Sequence, residues 1–324
     1  MNWVERGLVC AIVVPFAIGF SVADADPRGA EEVCRFQDPQ IVESSGLVAR
    51  DGLFATVNDS GDSGRVFVLD AATCRTVGTT TWAEDAEDIE ALAPYDDEVL
   101  VGDIGDNLAG RESVRLLRVP VGRGARTVTP TTYEITYPGG ARDAEALLVH
   151  PRSGRVLVAS KGLMSGVLYA APERLSASSP NRLEPVADVL GLVTDGAFLP
   201  DGRHLVLRSY SRAVFYTYPG LESVGEVTLP DQQQGEGIAV DERGTVYLSS
   251  EGQRAPVLRL DLPSRIARAL APPEPDPSAE PDAAAPGGGP APEPDPDRPV
   301  WPWLVGGGFG AAMIVVLLRA LRPR

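Results

Sequence analysis

Asp88-Ile-Glu-Ala-Leu-Ala93 and Asp143-Ala-Glu-Ala-Leu-Leu148 are one phrase written twice, 55 residues apart. Three further copies frame them: Glu43-Ser-Ser-Gly-Leu-Val48, Val193-Thr-Asp-Gly-Ala-Phe198 and Gln234-Gly-Glu-Gly-Ile-Ala239. Self-similarity at this spacing is the mark of four-stranded blades arranged in a ring. Each start is followed by the same succession of short runs. The second runs are Leu53-Phe-Ala-Thr-Val57, Glu98-Val-Leu-Val101, Arg155-Val-Leu-Val-Ala159, His204-Leu-Val-Leu207 and Thr245-Val-Tyr-Leu248. Val66-Phe-Val-Leu69, Val114 to Val119, Val167-Leu-Tyr-Ala170, Val214-Phe-Tyr-Thr217 and Val257-Leu-Arg-Leu260 form the third set. All are rich in Val, Leu and Tyr and bounded by Gly, Asp and Pro turns, and no long stretch keeps a helical period. The reading is all-β, a five-bladed β-propeller over residues 32–270. A fourth, outer strand follows in four blades, whereas the fifth runs into a Pro-rich segment. Cys34 to Val42, just before the first inner strand, is expected to supply the missing strand and close the ring, which removes an open sheet edge. That closure brings Cys34 beside the first blade, where Cys74 lies.

The ends of the chain imply export and anchoring. Gly7 to Val22 is an apolar run of signal-peptide length, and Ala23-Asp-Ala25 supplies small residues for cleavage, so residues 1–25 read as a signal peptide. An uncleaved anchor is the alternative, because Glu5 offsets Arg6. Trp301 to Leu318 is apolar, opens on the interfacial aromatics Trp301 and Trp303 and closes on Arg319, Arg322 and Arg324. A transmembrane helix over 300–319 with a cytoplasmic tail at 320–324 follows, the propeller lying on the outer side of the cell membrane. The stretch between, 271–299, alternates Pro with Ala, Gly, Glu and Asp and reads as an extended, disordered acidic linker. Cys10 leaves with the signal peptide, so Cys34 and Cys74 remain as an even pair in an oxidising compartment, and a disulfide between them is expected. The net charge of −16 and pI near 4.6 argue against a phosphate-backbone surface, and nucleic acid is excluded as a partner.

Strand direction turns these positions into faces. The repeat acid is expected just before each inner strand, in the loop entering from the preceding blade, and the second strand returns to the same face. The loops after it read Asn58-Asp-Ser-Gly-Asp62, Gly102-Asp-Ile-Gly-Asp-Asn107, Ser160-Lys-Gly162, Arg208-Ser-Tyr210 and Ser250-Glu-Gly252. One mouth is therefore expected to collect Glu43, Asp88, Glu90, Asp143, Glu145, Asp195 and Glu236 from one set of loops. Asp59, Asp62, Asp103, Asp106, Asn107, Lys161, Arg208 and Glu251 come from the other. Converging carboxylates repel, and the repulsion must be offset by a cation, by raised pKa values, or by Lys161, the only lysine, and Arg208. Oxygen ligands without thiol or imidazole point to Ca²⁺ or Mg²⁺, with Glu90, Glu145, Asp195, Glu236 and Asp103 as candidate metal ligands. The structural alternative is that each acid accepts backbone N–H bonds at an inter-blade turn. An organic cation is the third option.

Catalytic alternatives are poorer. Gly61-Asp-Ser-Gly64 has the look of a serine nucleophile loop, but His150 and His204 fall in turns on the opposite face, so no Ser/His/Asp arrangement is expected. A metal-assisted hydrolase needs only carboxylates and an open coordination position. The phrases Ser44-Ser-Gly46, Asn58-Asp-Ser-Gly61, Asp88-Ile-Glu-Ala-Leu92, Gly102-Asp-Ile-Gly-Asp-Asn107, Asp143-Ala-Glu-Ala-Leu147 and Gln234-Gly-Glu-Gly-Ile-Ala239 together resemble those of secreted bacterial propellers of the phytase-like and SdiA-regulated families. The resemblance implies the propeller fold and, for the phytase branch, a calcium-dependent phosphomonoesterase with acids at its mouth. This chain has the acids but offers only Lys161, Arg208 and Arg111 as phosphate-binding cations. The primary expectation is a binding or interaction module for a cell-envelope or extracellular ligand, the rival a calcium-dependent esterase or phosphoesterase.

Overall fold

A computed structural model describes residues 29–59, 61–83 and 86–271. The stretches expected to be a signal peptide, a transmembrane helix and a cytoplasmic tail, and all of the expected linker beyond Ala271, lie outside the described residues. Among the described residues no helix is long and apolar enough to cross a membrane.

The chain opens with β1 (Ala30–Arg35) and then builds blade 1 from β2 (Ser44–Arg50), β3 (Leu53–Asn58), β4 (Arg65–Asp70) and β5 (Thr76–Thr81). Blade 2 is β6 (Ile89–Tyr95), β7 (Glu98–Asp103), β8 (Val114–Pro120) and, after the short β9 (Gly124–Thr127), β10 (Thr131–Thr136). Blade 3 is β11 (Ala144–Val149), β12 (Val156–Ser160), β13 (Gly166–Ala170) and, after β14 (Asn181–Arg182), β15 (Glu184–Val189). Blade 4 is β16 (Val193–Phe198), β17 (His204–Ser209), β18 (Arg212–Thr217) and β19 (Ser223–Thr228); β20 (Ile238–Val240), β21 (Val246–Leu248) and β22 (Pro256–Leu260) begin blade 5. Each blade is an antiparallel meander, and β1 pairs antiparallel with β22 to complete the fifth. The ring is a five-bladed propeller closed by an N-terminal strand, as the repeats imply.

Both faces of every inner and middle strand are covered, which explains the continuous apolar runs. Along β11, Leu147 and Val149 join the core shared with blade 2, while Ala146 and Leu148 join the core shared with blade 4. The same alternation recurs around the ring, giving five apolar layers, one at each blade–blade interface. Gly46 in β2 adopts φ +69°, and a Cβ there would lie 2.6 Å from the backbone nitrogen of Leu92 in blade 2, so close approach of the inner strands requires glycine.

Three features depart from the expectations. The closing strand covers Ala30–Arg35 rather than Cys34 to Val42. Pro39 cannot donate to a ladder, Asp38 turns the chain by accepting the Gln40 N–H, and Phe36 and Ile41 instead fill the core between blades 5 and 1. Two blades also gain a fifth strand from their successor: β9 runs parallel to β5, and β14 parallel to β10, covering the outer edges of blades 1 and 2. Finally, blade 5 is followed by a helix, α1 (Ser264–Leu270), whose buried Ile266 packs into the core between blades 4 and 5. Cys34 and Cys74 form the expected disulfide, with Cα atoms 5.7 Å apart, stapling the closing strand to blade 1.

Candidate functional site

A recurring backbone bond fixes the geometry of the mouth. The residue following a second strand donates its N–H to the carbonyl preceding the inner strand: Asp59 to Glu43, Lys161 to Asp143 and Ser249 to Gly237, with Gly105 to Asp88 one residue later; in blade 5 Glu251 adds a bond to Gln234 further out. Both sets of loops thus lie on one face, around the starts of the inner strands. These strands bulge at the repeat position, beside Glu90, Glu145 and Asp195 in blades 2 to 4 and at Gly46 in blade 1, which breaks the regular pleat there.

The acids divide into two groups by what they bond. In the first, oxygens are committed to backbone and arginine. Asp195 is wholly buried, and its Oδ2 accepts the N–H groups of Ile238 at 2.8 Å and Leu47 at 3.4 Å, while Oδ1 accepts its own neighbour Gly196 at 2.7 Å. One carboxyl of blade 4 therefore ties blades 5 and 1 across the axis. Asp103, also wholly buried, accepts the N–H groups of Asp88 and Glu87 and pairs with Arg111 and Arg115. Asn58 holds the corresponding place in blade 1 and accepts Val42 and Glu43. Asp106 accepts Gly110 and Arg111, and its own N–H donates to Asp143. Asp62 pairs with Arg65 and accepts from Asn58. The oxygens of Asp103 and Asp195, expected as metal ligands, accept inter-blade and turn N–H groups, and those of Asp103 also meet arginine. Asn107 and Glu43 are exposed at the rim.

The two cations are also engaged. Arg208, fully buried, donates to the carbonyls of Gly237 and Ser249 and to Gln232, bracing blade 5 against blade 4. Burial pulls its guanidinium down to about 10. Lys161 donates to the Glu145 carboxylate and lies 5.6 Å from the centre of the Tyr210 ring. Burial opposes its charge, but Glu145 outweighs this and holds the ammonium above its ordinary range. Burial pushes Glu145 up to about 8 against the pull of Lys161. The direction that stands for the pair is an ionised lysine, because its donated hydrogen bond satisfies both buried groups. Arg111, the third cation considered for phosphate, is paired with Asp103 and Glu87.

The second group of acids faces the opening. One carboxylate oxygen each from Asp59, Asp88 and Glu90 lies within 4.8 Å of the others. Burial, then repulsion from Glu145, Asp59 and Asp88, pushes Glu90 up to about 10. Asp88 is pushed up to about 6 by burial and by Asp59 and Asp143. Glu236 is pushed up to about 7 by burial, against Lys161 and Arg208. Its Oε2 is buried without a hydrogen-bond partner among the described residues, in a side chain only 6% exposed whose charged neighbours include Glu251 and Asp59 of the same mouth. Gly105 makes room for the cluster: a Cβ there would lie 2.4 Å from Asp88 Oδ2 and 2.8 Å from Glu90 Cγ.

Sequence reasoning placed Asp59 and Asp88 at the mouth but not in the metal set. The signal was adjacency, since the loop of blade 1 and the start of blade 2 are neighbours in the ring. His150 lies on the other face, lining a cavity of about 870 Å³ at the far ends of the inner strands. There its Nδ1 accepts the N–H groups of Arg152 and Ser153. His204 bonds Asp201 in a turn.

No protein-family model matches the chain, and no curated protein matches it either.

Proposed function

We propose that the protein is an extracytoplasmic binding module, anchored to the cell membrane by its C-terminal helix, whose acidic mouth holds a hard divalent cation, Ca²⁺. The observation that carries this reading is the triad of Asp59, Asp88 and Glu90 oxygens within 4.8 Å of one another. Two oxygens sharing a calcium ion at about 2.3–2.6 Å are separated by no more than about 5 Å. The buried, unpartnered Oε2 of Glu236 and the room left at Gly105 support it independently. Asp59, Asp88 and Glu90 would hold the ion and Glu236 would add a further oxygen. The cation adds positive charge to a cluster in which Asp59 and Asp88 are half-buried and Glu90 and Glu236 buried, replacing protons at Glu90 and Glu236. Such an ion couples blades 1 and 2 to the opening and presents a coordination position to a ligand. Signal peptide, Pro-rich spacer and apolar C-terminal stretch in the sequence support display outside the cell.

A hydrolytic role is the second outcome of the same test. Full-length protein is melted with Ca²⁺ and with EDTA, and release of product from generic phosphate and carboxylate esters is measured alongside. A melting rise with Ca²⁺ that disappears in Asp88→Asn, without turnover, supports the module. Calcium-dependent turnover abolished in Glu90→Gln supports a phosphoesterase instead. The absence of both a melting shift and turnover overturns the cation reading. The scarcity of free cations favours the module, because Lys161, Arg208 and Arg111 are all engaged within the protein.

A further inference from the structure

Six large hydrophobic residues are exposed among the described residues, and five of them cluster on the mouth face. Leu108 is 95% exposed, Leu163 77% and Met164 88%, with Leu192 and Tyr210 more than a third exposed. Leu108 lies in the loop between β7 and β8, Leu163 and Met164 between β12 and β13, Leu192 between β15 and β16, and Tyr210 between β17 and β18. The loops are contiguous. Leu192 donates its N–H to the carbonyl of Gly162 at 2.7 Å, and a Cβ on Gly191 would strike the Met164 backbone at 2.7 Å. Asp143 joins the other side: its carboxylate accepts the Asp106 N–H, and its carbonyl accepts that of Lys161. Tyr210 adjoins Lys161. The result is an apolar crescent on blades 2, 3 and 4 beside an acidic opening. Soluble surfaces seldom carry such a grouping unless something covers it.

The charge of this face selects among occupants. An anionic lipid surface is repelled by Glu43, Glu251 and the other mouth acids. A second copy docked by the same face sets those acids against their own kind. A partner complementary in both respects carries positive charge next to large apolar side chains. The mouth already holds one such group, since the Lys161 ammonium sits on the Glu145 carboxylate and over the Tyr210 ring.

We propose that the crescent of Leu108, Leu163, Met164, Leu192 and Tyr210 receives a polypeptide segment of a partner protein in which an Arg or Lys adjoins large apolar residues, the basic side chain reaching mouth acids outside the triad, Glu251 first among them. This goes beyond the calcium reading and does not use Asp59, Asp88 or Glu90. The test is selection of a displayed random-peptide library on the full-length protein, followed by affinity measurement with a synthetic copy of the most enriched peptide. Enriched peptides are expected to carry Arg or Lys beside Leu, Ile, Phe or Met. The synthetic peptide is expected to bind about tenfold or more weakly to the double variant L163S/M164S and to weaken at high salt. A second variant, Tyr210→Ala, is expected to weaken binding as well. Absence of enrichment, enrichment of acidic peptides, or unchanged affinity in L163S/M164S overturns the proposal. So does binding to phosphatidylserine-containing vesicles, or self-association, that depends on Leu163 and Met164. The calcium-dependent melting shift, read on the same samples, reports only on the Asp59–Asp88–Glu90 site, so either idea can fail alone.

Discussion

Glu90→Gln is the substitution that the electrostatics of the mouth make most informative. Gln keeps the shape of a protonated Glu and cannot ionise. In cation-free protein, burial and neighbouring acids raise the Glu90 carboxyl to about 10, against an ordinary value of 4.5. Between these values the folded protein keeps a proton that the unfolded chain has lost. Stability from this group is therefore fully present below pH 4.5 and declines as pH rises toward 10. One such proton corresponds to roughly 1.4 kcal/mol per pH unit, or about 4 kcal/mol between about pH 5 and about pH 8, as an upper bound. Side-chain relaxation and water in the opening reduce this to about 2 kcal/mol. Glu145, Glu236 and Asp88 are raised too and slope in the same direction over part of this span. The assay is urea unfolding of the full-length protein in EDTA across that pH range. The parent is expected to lose stability steadily, and Glu90→Gln to lose about 2 kcal/mol less over the same span. Equal slopes, or a parent that gains stability toward alkaline pH, would refute the reasoning.

Other consequences follow from single contacts. Asp195→Ala leaves the buried N–H groups of Ile238 and Leu47 without their acceptor, and a loss of about 3 kcal/mol in urea unfolding is expected. Removing the disulfide by Cys34→Ser with Cys74→Ser, which frees a loop of sequence separation 40, is expected to cost about 4 kcal/mol, read as a lower urea midpoint, with a steeper slope where the unfolded chain, no longer cross-linked, exposes more surface. Gly105→Ala would press a methyl group onto Asp88 and Glu90; calcium titration followed by melting temperature should show a shift smaller than that of the parent or none.

The ring itself was legible because each blade repeats one phrase and buries both faces of its strands, so Leu147-Leu148-Val149 and its counterparts read as unbroken apolar runs. The Cys34–Cys74 pair was legible from ring closure. The parallel strands Gly124–Thr127 and Asn181–Arg182 were not. They are short, polar and exposed in part, and their pairing partners sit in the preceding blade, so no local period announces them. Helix Ser264–Leu270 is equally short, and only Ile266 of it is buried. At the mouth, the sequence brought the acids to one opening without separating their roles. Asp103 and Asp195 occupy repeat positions as Glu90 and Glu236 do. Which of them meets a backbone N–H and which faces the opening depends on bulges and loop lengths that differ from blade to blade. Asp59 and Asp88 joined Glu90 through contact between neighbouring blades, a relation that spacing along one repeat does not contain.

If calcium takes the place of protons in the triad, proton release on binding measures the exchange directly. Full-length protein is titrated with Ca²⁺ by calorimetry near neutral pH in two buffers of different ionisation enthalpy. Because burial and the neighbouring acids raise the Glu90 carboxyl to about 10 in the cation-free protein, saturable binding with release of about one proton or more per ion is expected, lost in Asp88→Asn. Binding with no proton release, or no binding at all, would contradict the exchange.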